Sequence, residues 1–357
     1  MIRPTPPSSP ARDTSPGTVL VSRDDEHALI RDVLARHGAT PEDAATQADM
    51  LVEGDLRGHA SHGIRRLPVL AGRLAAGLAV SAVEPEFEWR GDAALAVDGR
   101  RGLGPVVIHR ALGMLLERAA TTGVAVASIR NAGHAGMLAP YLERAAAAGA
   151  ASIGFTVSEA LVHPWGGATA MVGTNPIGIG VPTLGEPLIL DMSTSQVSAG
   201  RILDHAARDE PIPLGWAVDA DGNPTTDAVA AAGGALAPFG GAKGYALGLA
   251  IEALVGVLAG TAFGRDVRGT LDVEHPPTKG DVFVVFAPGT LGAPEGGAGA
   301  ALAGLTAYFD AVRDSGDAVA VPGDRARAER AARLADGIPL DAALWDRVTD
   351  LRNGARP

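Results

Sequence analysis

The sequence predicts an α/β fold joined to a mainly helical domain that is built from both ends of the chain. Three observations carry this reading. About the first eighty residues read as successive capped amphipathic helices, short apolar runs then alternate with helical stretches from about Phe87, and helical spacing returns near the C-terminus. With 357 residues, 46% of them apolar, the chain has enough material for two or three domains with buried cores. We divide it into a disordered tail over 1–17, a helical domain over 18–90 to which 300–357 returns, and an α/β domain over 91–299.

Met1 to Gly17 is mostly Pro, Ser, Thr and charged residues, with too little apolar length for a secretory leader. Ser22 then reads as an N-cap with Asp25 three residues on, and Leu29, Ile30, Val33 and Leu34 form one helical face that closes at Gly38. The same grammar recurs with Thr40 as N-cap, Pro41 at the first helical position, apolar Ala44, Ala48, Leu51 and Val52, and a stop at Gly58. A third helix is expected from Ser61, burying Ile64, Leu67, Ala71 and Leu74 and ending at Gly77. Strands are expected at Ala94–Val97, Val124–Ile129, Ser152–Val157, Ile177–Val181, Leu188–Asp191 and Asp281–Phe286. Between them Pro105–Ala120, Met137–Ala148, Ser195–His205 and Gly244–Leu258 read as helices. Gly289–Gly299 is a Gly/Pro-rich loop, and Leu302–Arg313 and Arg325–Leu334 are helical again.

Composition narrows the function classes. A net charge of −11 with scattered Lys and Arg argues against a nucleic-acid partner, because phosphate backbones demand clustered cations. The absence of cysteine excludes disulfides, thiolate nucleophiles and cysteine-ligated zinc or iron–sulfur centres, and it suits a reducing cytoplasm. Apolar runs such as Ala246–Gly260 are interrupted by Glu252 and glycines and fall short of roughly 20 residues, so no membrane span is expected. Small-molecule chemistry is the remaining default.

Four motifs can carry that chemistry. In Gly58-His59-Ala60-Ser61-His62-Gly63-Ile64-Arg65-Arg66, a helix capped by Ser61 would place His62 and Arg66 on one face beside the positive end of its dipole. Such a pair offers a bidentate anchor for a carboxylate and a neutral base for a hydroxyl proton, although a His and an Arg on one helix are commonly a solvated face. In Asn131-Ala132-Gly133-His134-Ala135-Gly136-Met137, glycines lie at a strand-to-helix turn, where free N–H groups at the helix start suit a phosphate. No Gly-x-Gly-x-x-Gly fingerprint stands in a strand–turn–helix context, so an ordinary Rossmann domain is not expected.

Third, Gly173-Thr174-Asn175-Pro176 and Asp191-Met192-Ser193-Thr194-Ser195 stand at strand mouths. Thr174 can orient a substrate oxygen there, and Asp191 and Thr194 can hold a ribose or phosphate; Ser and Thr at these places also serve as helix caps. Fourth, Gly240-Gly241-Ala242-Lys243-Gly244-Tyr245 lacks the spacing of a Walker loop, yet a lysine beside a glycine turn can meet a phosphate or carboxylate as a point charge, or simply face solvent.

These blocks, in this order, resemble the type-2 malate/L-lactate dehydrogenase family, which includes ureidoglycolate and sulfolactate dehydrogenases, diketogulonate reductase and cyclic imino-acid reductases. The resemblance runs from about Ser22 to near Arg347. It implies a non-Rossmann nicotinamide-binding α/β domain, NAD or NADP as cofactor, a small carboxylate as substrate, and a homodimer. It also implies that His62 moves the proton with Ser61 orienting it, that Arg66 binds the carboxylate, and that Thr174 touches substrate. His134, Ala135, Gly136, Met137 and Leu138, then Asp191, Met192, Ser193 and Thr194, then Lys243 and Gly244, would hold the cofactor. In some relatives the histidine matching His134 is the base, so both histidines stay candidates.

Ala135 replaces an aromatic usual in the family. Arg201 stands where hydroxy-acid enzymes commonly carry Lys and imino-acid reductases an acidic residue, which leans toward 2-hydroxy acids. Two rival readings are a reductase of a cyclic imino acid and a metal hydrolase with His59, His62, His134 and Asp191 as ligands. A third is a binding protein that holds the cofactor without turnover.

Overall fold

The computed structural model describes residues 17–290 and 297–356, so the expected tail lies outside the described residues apart from Gly17. The chain opens on strand β1 (Thr18–Val21) and helices α1 (Arg23–Arg36) and α2 (Pro41–Leu56). Local capping sets both helices. Ser22 Oγ accepts the Asp25 N–H and Thr40 Oγ1 the Asp43 N–H, with Pro41 in the first turn where its missing N–H costs nothing.

The third helix starts later than the sequence pattern implies. Ala60–His62 and Ile64–Arg66 are separate 3-10 turns joined by extended Gly63, and helix α3 covers only Leu67–Ala75. The cause is tertiary. A helix capped by Ser61 would draw the Ile64 N–H to Ser61 Oγ, but the buried Asp55 carboxylate on α2 takes that N–H at 2.5 Å, and Ser61 Oγ turns to His62 Nδ1 instead. A side chain at Gly63 would collide with the same carboxylate.

After α3 come β2 (Glu86–Trp89), β3 (Ala94–Gly102), α4 (Gly104–Thr122), β4 (Val124–Ala132), α5 (Ala139–Ala147), β5 (Ala151–Thr156), β6 (Ile177–Val181), β7 (Leu188–Met192) and α6 (Ala199–Ala207). Short β8 (Ala217–Val218), α7 (Ala228–Ala232) and β9 (Ala235–Leu236) lead into α8 (Ala242–Ala259) and β10 (Gly280–Phe286). The chain ends with α9 (Gly297–Arg313), α10 (Asp324–Asp336), β11 (Ile338–Asp341) and α11 (Ala342–Asn353). The expected Gly/Pro-rich loop over 289–299 is shorter than predicted on its far side, because Gly297 already begins α9; residues 291–296 lie outside the described residues.

Seven strands form one mixed sheet in the order β2-β3-β4-β10-β5-β6-β7, in which β3 and β4 are parallel and every other pair is antiparallel. The period-2 alternation of β10 divides its two faces. Phe283 and Val285 join Ile108, Leu112, Tyr141 and Leu142 of α4 and α5, whereas Val282 packs with Ile251 and Val255 of α8.

Direction matters for function. β10 is antiparallel to both β4 and β5, so these two strands end at the same edge of the sheet; β6 starts at that edge and β7 returns to it. The turns carrying His134, Thr174 and Asp191–Thr194 therefore emerge together.

The two chain ends close on each other. β11 pairs antiparallel with β1, and Ile338, Leu340, Val348 and Leu351 share a core with Leu29, Leu34 and Leu56. Arg330 of α10 is paired with Glu53 of α2, whereas α9 reaches the β6–β7 turn, where Thr306 Oγ1 accepts the Leu184 N–H.

Among the described residues one helix, α8, is long and apolar enough to cross a membrane by length and composition alone. Glu252 does not interrupt it because Gly244, Gly248, Ile251, Glu252, Val255, Gly256 and Ala259 form its buried stripe.

Candidate active site

Although His62 and Arg66 do not share a helix, the two 3-10 turns bring them together with His134. The His62 and His134 rings lie 5.6 Å apart between centroids, tilted by 42°. Burial lowers the His62 pKa to about 3, with Arg66 and His59 adding to the shift. Burial also holds His134 well below the usual histidine range, followed by Arg66, His62 and Lys279. Both imidazoles are therefore neutral at physiological pH.

Their Nδ1 atoms differ in partner. His134 Nδ1 accepts the Gly136 N–H at 3.0 Å, which places its proton on Nε2. His62 Nδ1 lies 3.0 Å from Ser61 Oγ, and donation to that hydroxyl leaves Nε2 with a free lone pair.

Arg66 supplies the positive charge. Burial lowers its pKa to about 10, with Glu159 opposing and Arg73 reinforcing, so it stays cationic at neutral pH. Its Nη2 donates to Thr270 O at 3.1 Å, and among the described residues it forms no ion pair. A small cavity of about 40 Å³ opens against Arg66 and His134, walled by Leu51, Val69, Leu70 and Leu103.

The turn after β4 is built from inside. Ala135, Met137 and Leu138 bury their side chains in the sheet core, so only their backbone can meet a ligand. Gly136 has φ +76°, and a Cβ there would strike Met50. The helix start expected to greet a phosphate is already filled, because Asp191 Oδ2 accepts the N–H groups of Leu138 and Ala139 at 2.8 and 2.9 Å. Asp191 thus ties β7 to α5 with one oxygen.

A second cluster centres on Thr174. Its Oγ1 is 3.1 Å from Ser158 Oγ, which accepts the Thr174 N–H at 2.9 Å. The Thr174 carbonyl accepts from both the N–H and Oγ1 of Thr194, joining the two strand-mouth motifs directly. Asn175, at φ +28°, is held by Gly248 O and by Glu252, whose Oε2 also accepts the Gly173 N–H. Met192 closes β7, and Ser193 Oγ lies 3.0 Å from Ser195 Oγ. At the start of α8, Lys243 is exposed and Gly244 is pressed against the Phe239 carbonyl, with no room for a side chain.

Sequence reasoning missed the residues that link these clusters. Glu159 Oε1 accepts the N–H groups of Thr270 and Leu271, while Arg66 holds the Thr270 carbonyl from the other side. Arg73 holds the same loop through Asp272 O and His275 O. Only the place of Ser158 and Glu159 just beyond a strand end signalled them. The metal-hydrolase grouping does not form: among the described residues no three His, Cys, Asp or Glu side chains gather as metal ligands.

Known proteins share this architecture. A crystal structure of a dehydrogenase from Sinorhizobium meliloti superposes with a TM-score of 0.89 at 47% identity, covering 94% of this chain and 98% of that one. The malate/(S)-sulfolactate dehydrogenase of Methanothermus fervidus is 34% identical over 93% of this chain and 97% of its own length. A delta(1)-pyrroline-2-carboxylate reductase of Burkholderia multivorans is 33% identical over 93% and 97%. The profile of the malate/L-lactate dehydrogenase family matches residues 21–349. The chain belongs to that family.

Proposed function

We propose that this oxidoreductase interconverts a small 2-hydroxy acid and its 2-oxo acid, with His62 moving the hydroxyl proton and Arg66 binding the carboxylate. The observation that carries this is a pair of neutral imidazoles, 5.6 Å apart, beside a half-buried guanidinium with no ion-pair partner among the described residues. A carboxylate supplies the missing counter-charge, and a guanidinium binds it in a planar, two-pronged geometry.

The nicotinamide, when bound, supplies the hydride acceptor at C4 in oxidation and the donor in reduction. In oxidation the substrate hydroxyl gives its proton to His62 Nε2 as the C2 hydride leaves. Ser61 Oγ accepts from His62 Nδ1 in the tautomer that frees Nε2, and His134, limited to donation from Nε2–H, steadies the substrate oxygen. Thr174 lines the same edge.

NAD or NADP lies, in this reading, against the backbone from His134 to Leu138, along Met192 to Thr194, and beside Lys243 and Gly244, while Asp191 keeps the first turn in place. The fit rests on glycine turns with no room for side chains and on strand mouths that meet at one edge. A sheet with a single parallel pair supports a nicotinamide-binding domain unlike the Rossmann type, built on 91–299 with β2 added at the sheet's edge and α9 against the β6–β7 turn. The helices before β2 and the segment from α10 onward make the second domain in this reading. We place the enzyme in the cytoplasm as a homodimer.

The test follows the absorbance of the reduced nicotinamide with NADH or NADPH, a panel of 2-oxo acids, and cyclic imines. Oxidation with a 2-oxo acid is expected. Turnover with cyclic imines alone would replace this reading with imino-acid reduction, the activity in the name of the Burkholderia relative. Cofactor binding without turnover would favour a binding protein.

A further inference from the structure

Two carboxyl groups that the reaction does not use lie together beneath the Ser61–Arg66 segment. Glu26 of α1 and Asp55 of α2 are both buried. Asp55 is tied to the site, because its Oδ2 accepts the N–H of Ile64, the residue midway between His62 and Arg66, at 2.5 Å. The backbone on either side is laid closely on the same stretch of α2. A Cβ on Gly63 would collide with the Asp55 carboxylate and one on Gly54 with the His62 carbonyl, and the His59 N–H donates to Gly54 O at 2.8 Å.

Glu26 touches the site only through Asp55. Among the described residues no N–H or O–H reaches either of its oxygens, and its polar neighbour is the Asp55 carboxyl. Two ionised carboxylates can only accept, so the contact forms only when one proton lies between them. The nearby cations do not replace that proton. Arg333 of α10 pairs with Glu329 and donates to the Asp55 backbone carbonyl, and Arg65 pairs with Asp204, so each acts on the Asp55 carboxyl through its charge alone. Burial, followed by the Asp55 charge, raises the Glu26 pKa to about 10, which keeps the proton in place across the neutral range.

We propose that Glu26 is a positioning residue for the reaction: its proton, donated to Asp55, holds that carboxylate on the Ile64 N–H and so sets His62 and Arg66 toward the substrate. This rests on the reading of His62 as the proton-moving group. Loss of the proton puts two charges side by side in a buried site and drives Asp55 off Ile64. A second proton, taken up in acid, leaves Asp55 a carbonyl oxygen with which to accept, so the control acts on the alkaline side alone.

The test is the pH dependence of kcat for oxidation, at saturating 2-hydroxy acid, in the wild type and in Glu26→Gln, whose amide donates to Asp55 at every pH. Saturation separates the effect from Arg66, which also loses charge near 10 and acts through KM. The Ile64 amide resonance, read by NMR on protein with isotope-labelled isoleucine, follows the contact itself. Wild-type kcat is expected to fall reversibly as pH rises through about 10, by about 10²-fold, the scale of a misplacement of about 1 Å, and the Ile64 amide to move over the same range. Glu26→Gln should keep most of the neutral-pH kcat and show neither change. A purely structural role would instead lower kcat alike at every pH.

A fall of equal size in Glu26→Gln, or a wild-type Ile64 amide that stays in place while kcat falls, would overturn the inference. Should Glu26→Gln fail to fold, Asp55→Asn takes its place. Its amide oxygen accepts from Ile64 and its NH2 group donates to Glu26, so the alkaline fall should again vanish, and a fall that persists would be equally decisive. A wild-type protein that turns over no 2-hydroxy acid would overturn the functional reading instead, and the Ile64 resonance, which needs no substrate, would then decide this inference by itself.

Discussion

A neutral imidazole serves as base or as donor according to which nitrogen keeps its lone pair, and the partner at Nδ1 decides that here. The Gly136 N–H commits His134 to donation from Nε2, while Ser61 lets His62 present a free Nε2. His62→Ala is accordingly expected to lower kcat by about 10²–10⁴, the range for a positioned acid/base, and His134→Gln, which keeps a donor, to lower it far less. Steady-state kinetics in both directions check this, and the opposite order would make His134 the base. Arg66→Lys should raise KM for the acid more than it lowers kcat, because a point charge cannot reproduce the two-pronged contact. The pH profile follows with a definite sign. Since burial holds His62 down to about 3, the base is neutral throughout the ordinary range, and kcat/KM for oxidation should show no acid limb near the usual histidine value of about 6.5.

At the scale of elements, the capped helices were legible because their signals are local: Ser22, Thr40 and Pro41 act within one turn of themselves. The break at Gly63 was not legible, because it depends on Asp55, which arrives from another helix. The site survived that error, since the two 3-10 turns still leave Arg66 near enough to His62 for its charge to act on the imidazole. β11 was missed for the same kind of reason: a four-residue strand containing Pro339 has little pattern of its own and exists by pairing with β1 at the other end of the chain.

Two tests belong to this scale. Glu26 on α1 is wholly buried against Asp55, and burial followed by the Asp55 charge raises its pKa to about 10. A carboxyl raised in the folded state stabilises below its unfolded value near 4.5 and loses that contribution as pH rises toward 10. Glu26→Gln should therefore melt higher than the wild type at pH 8, by at least ~2 °C at this chain size, with the gain shrinking toward pH 5 in calorimetry. On α8, Glu252 holds Gly173, Asn175 and Gly264. Glu252→Ala should lower kcat/KM at least tenfold through the Thr174 turn, with Glu252→Gln recovering part of it.

For the whole molecule, strand direction gathers motifs that lie far apart in sequence, but the same sheet leaves one helix half covered. α8 packs inward through its glycine-rich stripe and turns Leu254, Val257 and Leu258 outward, at 45%, 74% and 50% exposure, with Phe263 at 49% just beyond its end. A contiguous apolar face of this kind marks an interface, and the homodimer proposed above has its natural seam here. A two-fold seam needs about 1,000 Å² or more of buried surface, and it places each of these residues against its own symmetry-related patch. Leu254→Asp/Val257→Asp should then bring like charges together twice over and convert the dimer to a monomer, while leaving the inward stripe and the fold intact. Sedimentation equilibrium and circular dichroism measure the two consequences separately. A dimer that persists in the folded double variant would move the seam elsewhere, and a wild-type protein that sediments as a monomer would leave α8 facing some other partner.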